Sequence, residues 1–241
     1  VDQFQFNAGF EGNFELGDRF FYWDVGYTFA DITQNEQTTG LLNMGNVKTA
    51  MGDVNVCNDT PGCVPLDLFG GSTAIGVGSI TQEMLDYIEF VAQDASSTSM
   101  RNYTANISGD VFELPAGMMG FAAGYEKRWH KGYDLPDAFI AAGLSSGNAR
   151  QPTSGAFDVD EMYLELAIPL LADVAFARNL DLELATRYSD YSNFGNTTNS
   201  KVGLKWRVND DLMVRATYSE SFRAPSISEL FLGNSDSFVN L

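Results

Sequence analysis

Histidine is almost absent: His130 is the sole one in 241 residues. No serine or cysteine can be placed beside it to make a nucleophile–base pair, so the sequence does not read as an enzyme. Cysteine is scarce as well, with only Cys57 and Cys63, in CNDTPGC. Two thiols alone cannot make a four-ligand zinc site, and the spacing is not the CxxC of redox motifs. They are expected to form a disulfide closing a short loop, which implies an oxidising compartment and contributes roughly 2 kcal/mol by the chain-entropy model. Basic residues are few, 14 against 32 acids, for a net charge of −18. That leaves no basic footprint for a nucleic-acid partner. No run of ~18 apolar residues occurs, which excludes a transmembrane helix but not a transmembrane barrel, whose strands alternate. No leader peptide is visible, and the pattern at Val1 is already strand-like, so the natural N-terminus is expected to be processed or to lie upstream. The glycine-rich GGSTAIGVGS (70–79) lacks GK[ST] and a preceding buried strand, and reads as a flexible loop, not a phosphate cradle.

What the sequence has in quantity is aromatic residues and glycine (18 Phe, 10 Tyr, 3 Trp, 23 Gly), with a dominant period of two. Successive side chains of a strand point to opposite faces. Leu180, Leu182, Leu184 and Tyr188 fall on one face, against Asp181, Glu183, Arg187 and Ser189 on the other. Val202, Leu204 and Trp206 alternate with Lys201, Gly203, Lys205 and Arg207, and Val214, Ala216 and Tyr218 with Arg215, Thr217 and Ser219. At the start of the chain, Phe4, Phe6, Ala8, Phe10 and Phe14 oppose Gln3, Gln5, Asn7, Glu11 and Asn13. Eight strands are expected, over 3–15, 19–33, 101–113, 117–131, 157–168, 179–192, 199–208 and 211–223. Many exceed the ~5–6 residues of soluble sheets and match the ~9–11 a tilted strand needs to cross a bilayer.

The connections alternate in kind. Those at 16–18, 114–116 and 209–211 are tight and 169–178 is moderate, while 34–100, 132–156, 193–198 and the tail after 224 are mostly longer. Outer-membrane barrels alternate in this way between short periplasmic turns and long extracellular loops. The long connection 34–100 should hold the disulfide and a short helix capped by Thr81, with Met84, Leu85, Ile88 and Val91 on one face. The connection 132–156 is the second extracellular loop.

The segment RYSDYSNFGNTTNSKVGLKWRVNDDLMVRATYSESFRAPSISELF (187–231) resembles the barrel of TonB-dependent outer-membrane receptors. GDVFELPAGMMGFAAGYEKRW (109–129), VDEMYLELAIPLL (159–171) and CVPLDLFGG (63–71) resemble it too, while 1–56 fits by pattern. The resemblance implies an all-β fold: residues 1–241 as part of one antiparallel transmembrane barrel wall, eight strands of a barrel of about twenty-two, with a plug that this stretch does not contain. It also implies the bacterial outer membrane, contact with its lipid, a small-molecule nutrient (iron chelate, cobalamin or saccharide), energy from the TonB complex acting through the plug, and no cofactor. A self-contained small barrel (pore or adhesin) and a soluble β-sandwich binding module are the alternatives.

Parity sorts the candidate residues. Trp206, Tyr188 and Tyr218 fall on the outward face as an interfacial girdle. Arg187, Lys201, Lys205, Arg207, Arg215 and Arg223 fall on the lumen face. Lys205, Arg207 and Arg215 lie near the periplasmic turn and are expected to face the plug, whereas Tyr191 and Arg223, near the extracellular end, are expected to meet ligand. The run EKRWHK (126–131) reads as a solvated strand end, with contact to anionic lipid headgroups as the alternative. Asp53, Asp59 and Asp67 miss the EF-hand spacing, so no metal site is assigned.

Overall fold

The computed structural model describes residues 1–68 and 79–237. Most of the glycine-rich stretch, 70–78, lies outside the described residues. Eight antiparallel strands follow in chain order: β1 (Asp2–Leu16), β2 (Arg19–Leu42), β3 (Glu89–Leu114), β4 (Gly117–Leu135), β5 (Thr153–Val174), β6 (Ala177–Tyr191), β7 (Gly195–Arg207) and β8 (Met213–Ser219). Each pairs with its sequence neighbours in one sheet of order β1 to β8, and β1 does not pair with β8. A self-contained small barrel requires that pairing.

The register aligns the expected faces across the sheet. Trp23, Ile107, Ala123 and Leu164 lie opposite one another in turn, as do Leu184, Val202 and Tyr218. Among the described residues nothing covers this apolar face: Phe10 is 77% exposed and Met162 58%. Along β5 it runs from Leu171 to Met162, about 28 Å of strand and so roughly 20 Å of depth at a barrel's usual tilt. No described helix is long and apolar enough to cross a membrane.

The strand boundaries differ from expectation in several places, β4 and β5 pairing out to Leu135 and Thr153 so that 136–152 remains of the expected loop 132–156. Residues 34–42 and 89–100 were expected in a loop but continue β2 and β3 as a paired ladder, leaving 43–88 as the connection. Both segments (QNEQTTG and AQDASSTS) are polar on both faces, so the period-two signal vanishes while backbone pairing carries on. β5 runs past Pro169 to Val174, and the moderate connection at 169–178 shrinks to a tight turn at 175–176. Pro169 sits at a register shift, where a missing N–H is tolerated. At 193–198 the turn occupies only 192–194, with Gly195 at φ +94° opening β7.

At the opposite end, Asn209 Oδ1 accepts from the amides of Asp211 (3.0 Å) and Leu212 (2.8 Å), an Asx turn that fixes the β7–β8 hairpin. β8 then ends at Ser219, so Phe222 and Arg223 lie beyond the strand expected to carry them.

The long connections are fastened together at the other rim. Thr81 caps a helix over Gln82–Ile88, as expected, but Val91 lies in β3 and is exposed. Cys57 and Cys63 form a disulfide, and Cys57 is buried. Asp53 is taken up as the cap of the helix Val54–Asp59. Arg150 bridges Asp94 and Asp134, Asp137 Oδ2 accepts from Gln93 N at 3.0 Å, and Ser146 N donates to Leu42 O at 2.9 Å.

Candidate ligand-binding site

The polar face is organised in three tiers between the tight-turn end and the long-loop end. Lowest lie Lys205, Arg207 and Arg215. Lys205 and Arg215 are directly opposite on β7 and β8, with Arg207 opposite Met213. Like charges facing each other across strands repel. None of the three joins an ion pair among the described residues.

The middle tier is a hydrogen-bonded network that sequence reasoning missed. Arg128 reaches Glu126 Oε1 at 2.9 Å and Glu161 Oε2 at 3.2 Å, and the Ser189 hydroxyl donates to Glu161 Oε1 at 2.5 Å. Glu161 is only 6% exposed. Arg187 stands 3.9 Å from Glu161 and lies over the Tyr163 ring, whose hydroxyl donates to Asn106 Oδ1 at 2.8 Å. Asn106 in turn donates to Asp24 at 2.7 Å. The network thus spans β2 to β6. Arg128 Nε and Asn102 Oδ1, on directly paired residues, are buried with no hydrogen-bond partner. The sequence signal for this tier was parity: Glu126, Arg128 and Glu161 all sit on the polar face, but EKRWHK had been taken as a single strand end. The structure places that run inside β4, sending Lys127 and Trp129 to one face and Arg128 and His130 to the other.

The top tier is aromatic. Tyr191 stacks on Phe194 at 4.4 Å between centroids and touches Phe157 (6.3 Å) and Phe222 (6.0 Å); His130 stacks on Phe157 at 5.0 Å. Tyr191 is buried, so Phe194 and Phe222 present the open surface of the cluster. The chain after β8 folds back against this tier. Its short helix (Ile227–Phe231) packs on the paired glycines Gly132 and Gly155. A Cβ at Gly132 would stand 3.4 Å from Ile227 Cδ1, and one at Gly155 would collide with the Phe231 ring.

Arg223 is committed to this tail. It grips Glu229 through both terminal nitrogens, at 3.1 and 2.7 Å, while Glu229 also accepts from Ser226 N at 2.7 Å. The Arg223 guanidinium, followed by the Ser226 hydrogen bonds, lowers the Glu229 carboxyl to about 2, and Glu229 raises Arg223 further. The two residues expected at the ligand therefore meet at one rim, since Phe222 next to Arg223 touches Tyr191. Neither presents its polar group freely: Tyr191 is a pedestal and Arg223 a clamp. The signal for Phe194 and Phe222 was present in the NFG and SFR runs, but neither belongs to a strand, so parity did not find them.

A family model described as "TonB dependent receptor-like, beta-barrel" matches residues 1–240. No curated protein and no solved structure matches the chain. The match spans the stretch 1–56, which the motifs alone left to pattern, and it meets eight antiparallel strands with one apolar and one polar face. The chain belongs to the TonB-dependent receptor-like β-barrel family.

Proposed function

We propose that this chain is part of the wall of a receptor that binds a scarce small-molecule nutrient at the cell surface and admits it through a plugged lumen with TonB-supplied energy. Family membership supports an outer-membrane receptor or transporter in general. The observation that carries the finer reading is the division of the sheet: an uncovered apolar face opposite a polar face whose aromatic tier, Phe194 and Phe222 over Tyr191, opens at the long-loop end. In lipid, unpaired strand edges cost several kcal/mol per backbone group, so β1 and β8 each need a further strand beside them. The facing cations Lys205 and Arg215, with Arg207, suit an anionic surface of the plug. The protein acts by binding and gated passage, not by making bonds. The test is uptake of labelled ferric chelates, cobalamin and oligosaccharides by cells with and without this receptor. Uptake of one class that vanishes on deleting either the receptor or TonB supports the reading; uptake of none, or uptake indifferent to TonB, rejects it.

A further inference from the structure

The outward face changes character above its last apolar row, Tyr125, Met162 and Tyr188. The next rows bring aromatic rings together: Tyr27 lies 4.8 Å from Tyr103, and Tyr103 meets Trp129 edge-on at 5.7 Å. Aromatic rings at the end of an apolar band mark the membrane interface. Two cations stand at the upper edge of this belt on the same face, Arg101 in the row of Trp129 and Lys131 one row on, opposite Ser99. With Ser99, Tyr103, Trp129 and Asp158 they line a groove of about 520 Å³.

The charges around the groove are unequally satisfied. Asp158 is held by Lys127 at 2.5 Å, and Lys127 also binds Asp160, so the two acids share one cation and turn toward it. Asp31, opposite Ser99, accepts from Thr33 Oγ1 at 3.3 Å. The side chains of Arg101 and Lys131 join no ion pair among the described residues. In a chain of net charge −18, two unpaired cations beside a belt of rings are a local exception.

We infer that Arg101 and Lys131 bind the anionic phosphate headgroup of a membrane lipid, whose acyl chains run down the apolar face past Tyr103 and Trp129. Charge at this height and rings below it match an amphiphile and give a free anion no use for the rings. The site is on the opposite face from the proposed nutrient site and stands independently of it.

The test uses the receptor as its cell makes it, purified in detergent and titrated by native mass spectrometry with phosphatidic acid, phosphatidylcholine or inorganic phosphate. R101Q/K131Q should weaken phosphatidic acid binding about thirtyfold, the product of two interfacial cations at their usual strength, and leave phosphatidylcholine unchanged. R101K/K131R should restore it. Equal phosphatidic acid binding by the glutamine variant overturns the proposal. So does inorganic phosphate that competes at the lipid's own concentration, which would mark a site for free anions. If the glutamine variant does not fold, the unaltered receptor decides: its phosphatidic acid binding must fall steeply with added salt, and salt-indifferent binding is equally fatal to the proposal.

Discussion

The two faces of the sheet are held to different standards. The outward face is specified by composition alone: Leu164, Leu166, Val202 and Leu204 need only be apolar, because lipid adapts to their shape. The polar face is specified by pairing. Glu161 receives Arg128, Ser189 and the approach of Arg187, and little else would fit that set. One face therefore tolerates exchange of shape but not added charge, whereas the other admits charge but holds Glu161 to both its length and its charge.

The sharpest way to break this comparison is to put charge on the wrong face. Leu166→Arg, near the middle of the apolar band, should destabilise the protein by about 2–4 kcal/mol in urea unfolding from lipid vesicles, while Thr217→Arg on the polar face should change it by under about 0.5 kcal/mol. Equal effects would remove the distinction between the faces. Next in size, replacing both Cys57 and Cys63 by serine should lower stability by roughly 2 kcal/mol, confined to the long-loop rim and visible as faster hydrogen exchange in 44–63 and not in the strands. Glu161→Gln should then cost about 1–2 kcal/mol by the same unfolding assay, because a charge-assisted set loses its shared acceptor charge. Glu161→Asp should not rescue it, since the shorter arm withdraws from Arg128.

The smallest effect concerns the tail. Glu229 has a lowered carboxyl pKa in the folded chain, so its contribution is present above the ordinary carboxylate value and is lost as pH falls through about 2. A spin label at the exposed Ser228 should stay immobile from neutral pH down to about 2 and loosen only there. Loosening already near the ordinary glutamate value would show that the Arg223 clamp does not hold in solution.

These contrasts also explain what could be read in advance. All eight strands and the outward face were legible, because Phe4 to Phe14 or Val202 to Trp206 must repeat at period two to meet lipid. The ladder of 34–42 with 89–100 was not, since strands projecting beyond the apolar band meet water on both sides and carry no alternation. Pro169 concealed the end of β5, because a proline normally closes a strand and only a register shift admits it. At the candidate site, Tyr191 was found through parity, whereas Phe194 and Phe222 belong to turn and tail and come near it only through the fold. The role of Arg223 depended on Glu229, six residues on, a pairing that helix capping and not strand periodicity creates.

The central claim is that alternate residues of one strand meet lipid and the lumen. A nitroxide scan of β7 from Lys201 to Trp206 in vesicles tests it most directly, by comparing collisions with oxygen, which partitions into lipid, and with a water-soluble nickel chelate. Oxygen contact should peak at 202, 204 and 206 and nickel contact at 201, 203 and 205. Loss of the alternation, or its inversion, would contradict the account.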